Sequence, residues 1–215
     1  MFQLSTRQIA IFRRTALSVF EEEMVDHCTA LAPRVAATLG RQKLGEVVQA
    51  AIARAAGRSF TLQGPVRLFV ELGFLFGSSF DTDVQYPWSQ DDLCRSEEAS
   101  PLDPTNEQMD RAARLHHASI DALAEIRGPN DCHIHVALPR VLDLAAEASL
   151  DLDDDLPALA LAAFEHVHPT KYDFVGEPAL RELIASGVSE AARYGLDAPR
   201  DVLLLIGLMF AFGQG

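Results

Sequence analysis

The chain is 215 residues long, 48% of them apolar, with 18 basic and 31 acidic side chains and a formal net charge of −13. That apolar content excludes wholesale disorder, and basic residues this few and scattered exclude a phosphate-neutralising nucleic-acid surface. The acid is uneven: residues 1–71 hold nine basic and six acidic side chains, leaving nine basic and 25 acidic, or −16, in the remainder. A field of that sign favours a basic protein partner.

In chain order the pattern is helical. Ser5 with Gln8 forms a capping box, and Ile9, Phe12, Leu17, Phe20, Met24, Cys28 and Leu31 recur at helical spacing up to Pro33. Arg7, Arg13 and Arg14 interrupt this opening, so it does not read as a secretory signal, and a cytoplasmic location is expected. A turn-rich stretch to Gly40 precedes an amphipathic stripe of Leu44, Val47, Val48, Ala51, Ile52 and Ala55, which Gly57 closes. The helix over 64–77 carries Val66, Phe69, Val70, Phe74 and Phe76, with Arg67 and Glu71 as an i,i+4 pair.

Residues 78–103 read as an irregular acidic connection, and Asp103-Pro104 opens a helix reaching Arg127. Further helices are predicted over 132–147, 156–167, 177–194 and 199–213, and no period-2 run suggests a strand. The last helix is apolar on every side, which predicts burial within the fold or against another copy. Its 11-residue apolar run, 202–212, is too short for a bilayer, and no membrane partner is expected. Cys28, Cys94 and Cys132, odd in number and without metal spacing, read as packed thiols.

Residues 33–77 and 169–213 align without a gap at an offset of 136, with 12 of 45 positions identical, among them Pro33/Pro169, Gly40/Gly176, Leu44/Leu180, Ala55/Ala191, Phe76/Phe212 and Gly77/Gly213. Chance at average usage gives roughly 3. The reading is an all-α multi-helix bundle with an internal, pseudo-twofold duplication, in which helices 64–77 and 199–213 are central. The expected organisation is one compact domain: a first helical repeat at 1–80, an acidic connection and linking helix at 81–130, and a second repeat at 131–215. After Gly213 only Gln214 and Gly215 follow, where the first copy continues, so the second copy is expected to be truncated, as in the front portion of a longer chain.

Candidate chemistry is sparse. His116-His117, His133-x-His135 and His166-x-His168 supply imidazoles beside abundant carboxylate, the ligand set of zinc and non-haem iron. None has the i,i+3 or i,i+4 spacing that places two ligands on one helix face. Glu23 and His27 do, and with His133, His135, His166 and His168 they are the weak metal candidates; the expectation is no metal site and no cofactor. Asp151–Asp155 reads as capping charge at a helix start. No nucleophile elbow or phosphate-binding glycine loop occurs, and no catalytic residue is assigned.

One segment stands apart. Phe80, Asp81, Asp83, Tyr86 and Trp88, the last the chain's single Trp, follow directly on the apolar helix 64–77. They read either as a recognition loop anchored by Tyr86 and Trp88, or as a helix end folded back over the core. The stretch from Leu68 to Trp88, with its upstream Pro and Ala-Ala helix, resembles uncharacterised bacterial helical proteins encoded beside type VI secretion spike and effector genes, over about 20–90 and again 165–213. The resemblance implies a cytosolic accessory, adaptor or immunity role around a secreted effector and transfers no functional residue. The function expected is a non-enzymatic protein-binding module whose partner is a basic effector or spike component, with self-association through the C-terminal helix; the alternative is a metal-dependent enzyme or toxin domain built on fold-assembled His, Asp and Glu.

Overall fold

The computed structural model describes residues 5–93, 104–146 and 155–214. Among them there is no strand, and no helix is long and apolar enough to cross a membrane. The expectations placed on Cys94, on the acidic stretch 94–103 and on Asp151–Asp154 lie outside the described residues. The chain divides into two compact units, residues 1–75 with 95–112 and residues 76–94 with 113–215, rather than the three consecutive segments of one domain read from the sequence.

In the first unit, α1 (Thr6–Leu31) and α2 (Pro33–Gly57) form an antiparallel pair, with Asp26 meeting Arg41 and Glu21 meeting Gln49 along the seam. The Ser5–Gln8 capping box starts α1 as the sequence predicts. The stretch before Gly40 is helical rather than turn-rich, because Pro33 presets the first turn and Gly40, at φ 75°, absorbs the break in a single residue. Helix α3 (Gln63–Phe76) adds Val70 and Phe74 to a core of Met24, Val25, Cys28, Ala36, Leu44 and Val48. The start of α5 (Pro104–Arg127) clips the α2–α3 turn: Gln108 Oε1 accepts from the Thr61 and Leu62 amides at 2.7 and 3.2 Å. Buried Arg111 donates to the Arg58 carbonyl at 2.9 Å and to Glu107 at 3.2 Å, with its guanidinium 4.5 Å from the Phe60 ring centroid.

The second unit comprises α4 (Pro87–Leu93), the rest of α5, α6 (Cys132–Ala146), α7 (Leu156–Val167), α8 (Pro169–Val175), α9 (Glu177–Arg193) and α10 (Pro199–Phe212). Helix α7 touches α6, α8, α9 and α10. Its Phe164 stacks on Phe210 with ring centroids 4.2 Å apart, and Gly187 of α9 lets Ile206 of α10 approach where a Cβ would lie 2.5 Å from its Cγ1. Each large side chain so buried contributes about 1.5 to 3 kcal/mol. Helix α10 is not enclosed on every side: Val202, Leu203, Ile206, Met209 and Phe210 face the core, while Leu204, Leu208 and Phe212 are exposed. An all-apolar sequence does not guarantee full burial when only one face of the helix meets neighbours.

Backbone conformation coincides at several pairs of residues 136 apart. Ala32 (φ −133°, ψ 68°) matches His168 (φ −145°, ψ 75°), Gly40 matches Gly176, and the helix-ending Arg58 (φ −91°, ψ 14°) matches Tyr194 (φ −88°, ψ 0°). Ser59 and Gly195 follow with positive φ of 62° and 69°. The correspondence also runs upstream of the aligned sequence, since buried Met24, Val25 and Cys28 fall opposite buried Ala160, Leu161 and Phe164. These buried positions share a register, some filled by the same side chain, as at Leu44 and Leu180, and others by different ones, as at Cys28 and Phe164.

Candidate protein-interaction surface

The 80–88 segment turns inward. Phe80, Asp81, Asp83 and Tyr86 are buried in the second unit, and Trp88 is half-buried. Phe76 packs edge-on against both Tyr86 (4.9 Å between centroids) and Trp88 (5.2 Å). This corrects the expectation of an exposed loop: three aromatic rings pack on one another and withdraw most of their surface from water. The folded-back reading describes the geometry.

Behind these rings lies a buried polar cluster. Asp83, 1% exposed, accepts from the Gln85 amide at 2.9 Å, from Gln85 Nε2 at 3.1 Å and from the Gln214 amide at 2.8 Å. Gln85 Nε2 also donates to the Met209 carbonyl at 3.0 Å, and Lys171 Nζ donates to the Phe210 carbonyl. The Lys171 ammonium lies 5.0 Å from the Phe210 ring centroid and 5.7 Å from that of Tyr86. Burial pushes the Asp83 carboxyl above its ordinary range, outweighing its hydrogen bonds and the nearby Lys171 charge. Burial likewise holds the Lys171 amine down at about 8, against the pull of Asp83. Together these groups tie 83–85 to the end of α10, beside the close approach of Gly77 and Gly213, where a Cβ on Gly213 would fall 1.8 Å from the Phe76 carbonyl oxygen.

The histidine candidates are not gathered. His27 donates from Nε2 to Glu71 at 2.6 Å and accepts from Arg67 at Nδ1 (3.0 Å), so its carboxylate partner is Glu71, while Glu23 is exposed. His135 and His166 are exposed. His133 and His168 approach ring to ring at 6.2 Å, but His168 uses Nδ1 to accept the Lys171 amide at 3.1 Å as the N-cap of α8. Burial, with Lys171 and His133 nearby, holds its imidazole at about 4. Among the described residues no three His, Cys, Asp or Glu side chains converge on a metal-sized site. Cys28 is a buried thiol that burial and Glu71 push up to about 11, which makes it unreactive.

What the first unit does expose is a groove. Between α1, the last turns of α2 and the start of α3 opens a space of about 520 Å³. Leu17, Phe20, Ile52, Ala53, Phe60 and Val66 give it an apolar lining, with Glu21, Gln49, Thr61 and Gln63 on its border. Exposed apolar side chains continue along α1 from the groove: Leu17 within it is 45% exposed, Phe12 62%, and Ile9 and Val19 are exposed as well. The sequence supplied the stripe, but its members read as core. No family model matches the chain, and neither curated proteins nor solved structures give a match. The reading of this surface therefore rests on its own geometry.

Proposed function

We propose that this chain is a non-enzymatic protein-binding module whose working surface is the groove between α1, α2 and α3. One observation carries the reading: the concave apolar opening is continuous with an exposed apolar stripe on α1. Contiguous apolar surface of this kind marks interaction sites on soluble proteins, and helix-in-groove docking is the recognition mode that fits a trough between helices. Asp83, Lys171 and His168, three groups with displaced titration, are buried inside the second unit, which supports a structural role for them. In this reading the chain acts as an accessory, adaptor or immunity protein, with a component of a secreted effector system as partner.

The test is retention of proteins encoded beside its gene on the purified chain, compared with Leu17→Glu. Leu17 is half-exposed, so the variant keeps its helicity, which circular dichroism verifies. Retention by the native chain and its loss in the variant is the expected outcome. No retained neighbour, or equal retention by both proteins, refutes the proposal.

A further inference from the structure

The groove has a charge pattern as well as a shape. Residues 5–20 contain Arg7, Arg13 and Arg14 and no carboxylate, and all three arginines are exposed. On a helix, Arg13 sits one turn from both Ile9 and Leu17, at the edge of the stripe formed by Ile9, Phe12, Ala16 and Phe20. The other end is acidic. Glu21, the single carboxylate in the lining, accepts from Gln49 at 3.0 Å, and Glu22, Glu23 and Asp26 follow within two turns, Asp26 being paired with Arg41 at 2.6 Å. Near the turn into α3, Glu107 is held by Arg111 and Asp110 is exposed on α5. Within α1 the basic side chains therefore fall in the first half and the carboxylates in the second.

Resting on the protein-binding reading, we infer that the groove takes an amphipathic helix of a partner protein whose end over Arg7, Arg13 and Arg14 is acidic. Apolar anchors at i, i+3 or i+4 and i+7 fill the trough and supply the affinity; the carboxylates fix the direction of docking and steer encounter. From Ile9 to Phe20 the stripe rises about 16 Å, so the bound segment spans about three helical turns. A lipid surface, the other occupant that exposed arginines and phenylalanine could attract, meets convex helix faces and leaves the floor of a trough empty. The overall acidity of the chain calls for a basic partner, whereas the docking end of the groove calls for acid. One partner satisfies both with an acidic-ended helix on a basic body.

The test uses designed fluorescein-labelled helical peptides with one Leu stripe at i, i+3, i+4 and i+7. One set carries a Glu cluster at either terminus and the other a Lys cluster. A Glu-ended peptide should bind about tenfold more tightly than its Lys counterpart, a preference that weakens with added salt. Arg13→Glu with Arg14→Glu, both exposed and without a packing role, should reverse the preference, and Leu17→Glu should abolish binding of every peptide. Equal binding of Glu and Lys peptides that is still lost in Leu17→Glu overturns the charge inference and leaves the groove intact. A Glu preference that survives Leu17→Glu shows attraction without docking and overturns the inference too. Failure of all peptides to bind, or binding only to vesicles of equal parts phosphatidylcholine and phosphatidylglycerol, overturns both the inference and the protein-binding reading beneath it.

Discussion

Replacing Asp83 by Ala removes the acceptor for three hydrogen bonds, from the amides of Gln85 and Gln214 and from Gln85 Nε2, inside a region closed to water. It also leaves the buried Lys171 ammonium without the carboxylate that raises its titration. Hydrogen bonds to a charged group are worth about 1.5 to 3 kcal/mol each, but they do not add when they share one acceptor. Each buried donor left without an acceptor costs about 1 to 3 kcal/mol. The elevated titration of Asp83 means that part of this interaction is already spent on desolvation, which places the net loss for the three donors at about 3 kcal/mol. Asp83→Asn retains one acceptor oxygen and the shape, and should cost less, about 1 to 2 kcal/mol. The assay is urea unfolding followed by Trp88 fluorescence. Trp88 is the chain's one tryptophan and belongs to the same unit, so the signal reports that unit even if the two unfold separately. A loss below about 1 kcal/mol in Asp83→Ala would show that the cluster is not coupled as its geometry implies.

Four further outcomes follow from the same contacts. His168 is held neutral at about 4 against an ordinary 6.5, so its stabilising contribution is full above about pH 6.5 and is lost as pH falls toward 4, by at most about 3 kcal/mol. His168→Asn, which keeps a capping acceptor for the Lys171 amide, should flatten the difference between unfolding midpoints measured at pH 7 and pH 5. Lys171 gives the alkaline counterpart: its folded amine titrates near 8 and the unfolded one near 10.5, so stability should rise over that interval in the native chain and stay level in Lys171→Met. Trp88→Ala should cost about 3 kcal/mol in urea unfolding, because it opens the Phe76–Tyr86–Trp88 cluster; near-native stability would mean the rings do not pack as described. Gly213→Ala and Gly207→Ala should move thermal midpoints in opposite directions. The former forces a Cβ against the Phe76 carbonyl at φ 86°, while the latter adds a methyl in open space inside a helix and should gain about 0.5 to 1 kcal/mol.

The sequence by itself determined the helices and their punctuation, because these depend on neighbours within a few residues. The Ser5–Gln8 box, Pro33 and Pro169 at helix starts, and Gly40, Gly176 and Gly213 at positive φ all act locally and were legible. The offset of 136 was legible for the same reason, and backbone dihedrals coincide at Ala32 and His168, Gly40 and Gly176, and Arg58 and Tyr194. Helices at 33–39 and 169–175 were missed because a single glycine can end a helix that short apolar patterns do not announce.

Only the tertiary structure decided which apolar side chains lose their water. Phe76 and Phe212 occupy matched positions, yet one is 3% exposed and the other 62%, because Tyr86 and Trp88 fold onto Phe76 alone. The same fold-back took the 80–88 aromatics out of contention as a binding surface. Conversely, Phe12 and Leu17 carry the signature of core residues and yet stay exposed on α1. Periodicity states which face of a helix is apolar. Whether a neighbour, a partner or solvent meets that face depends on where chain segments tens to more than a hundred residues away are placed, and no local pattern encodes that.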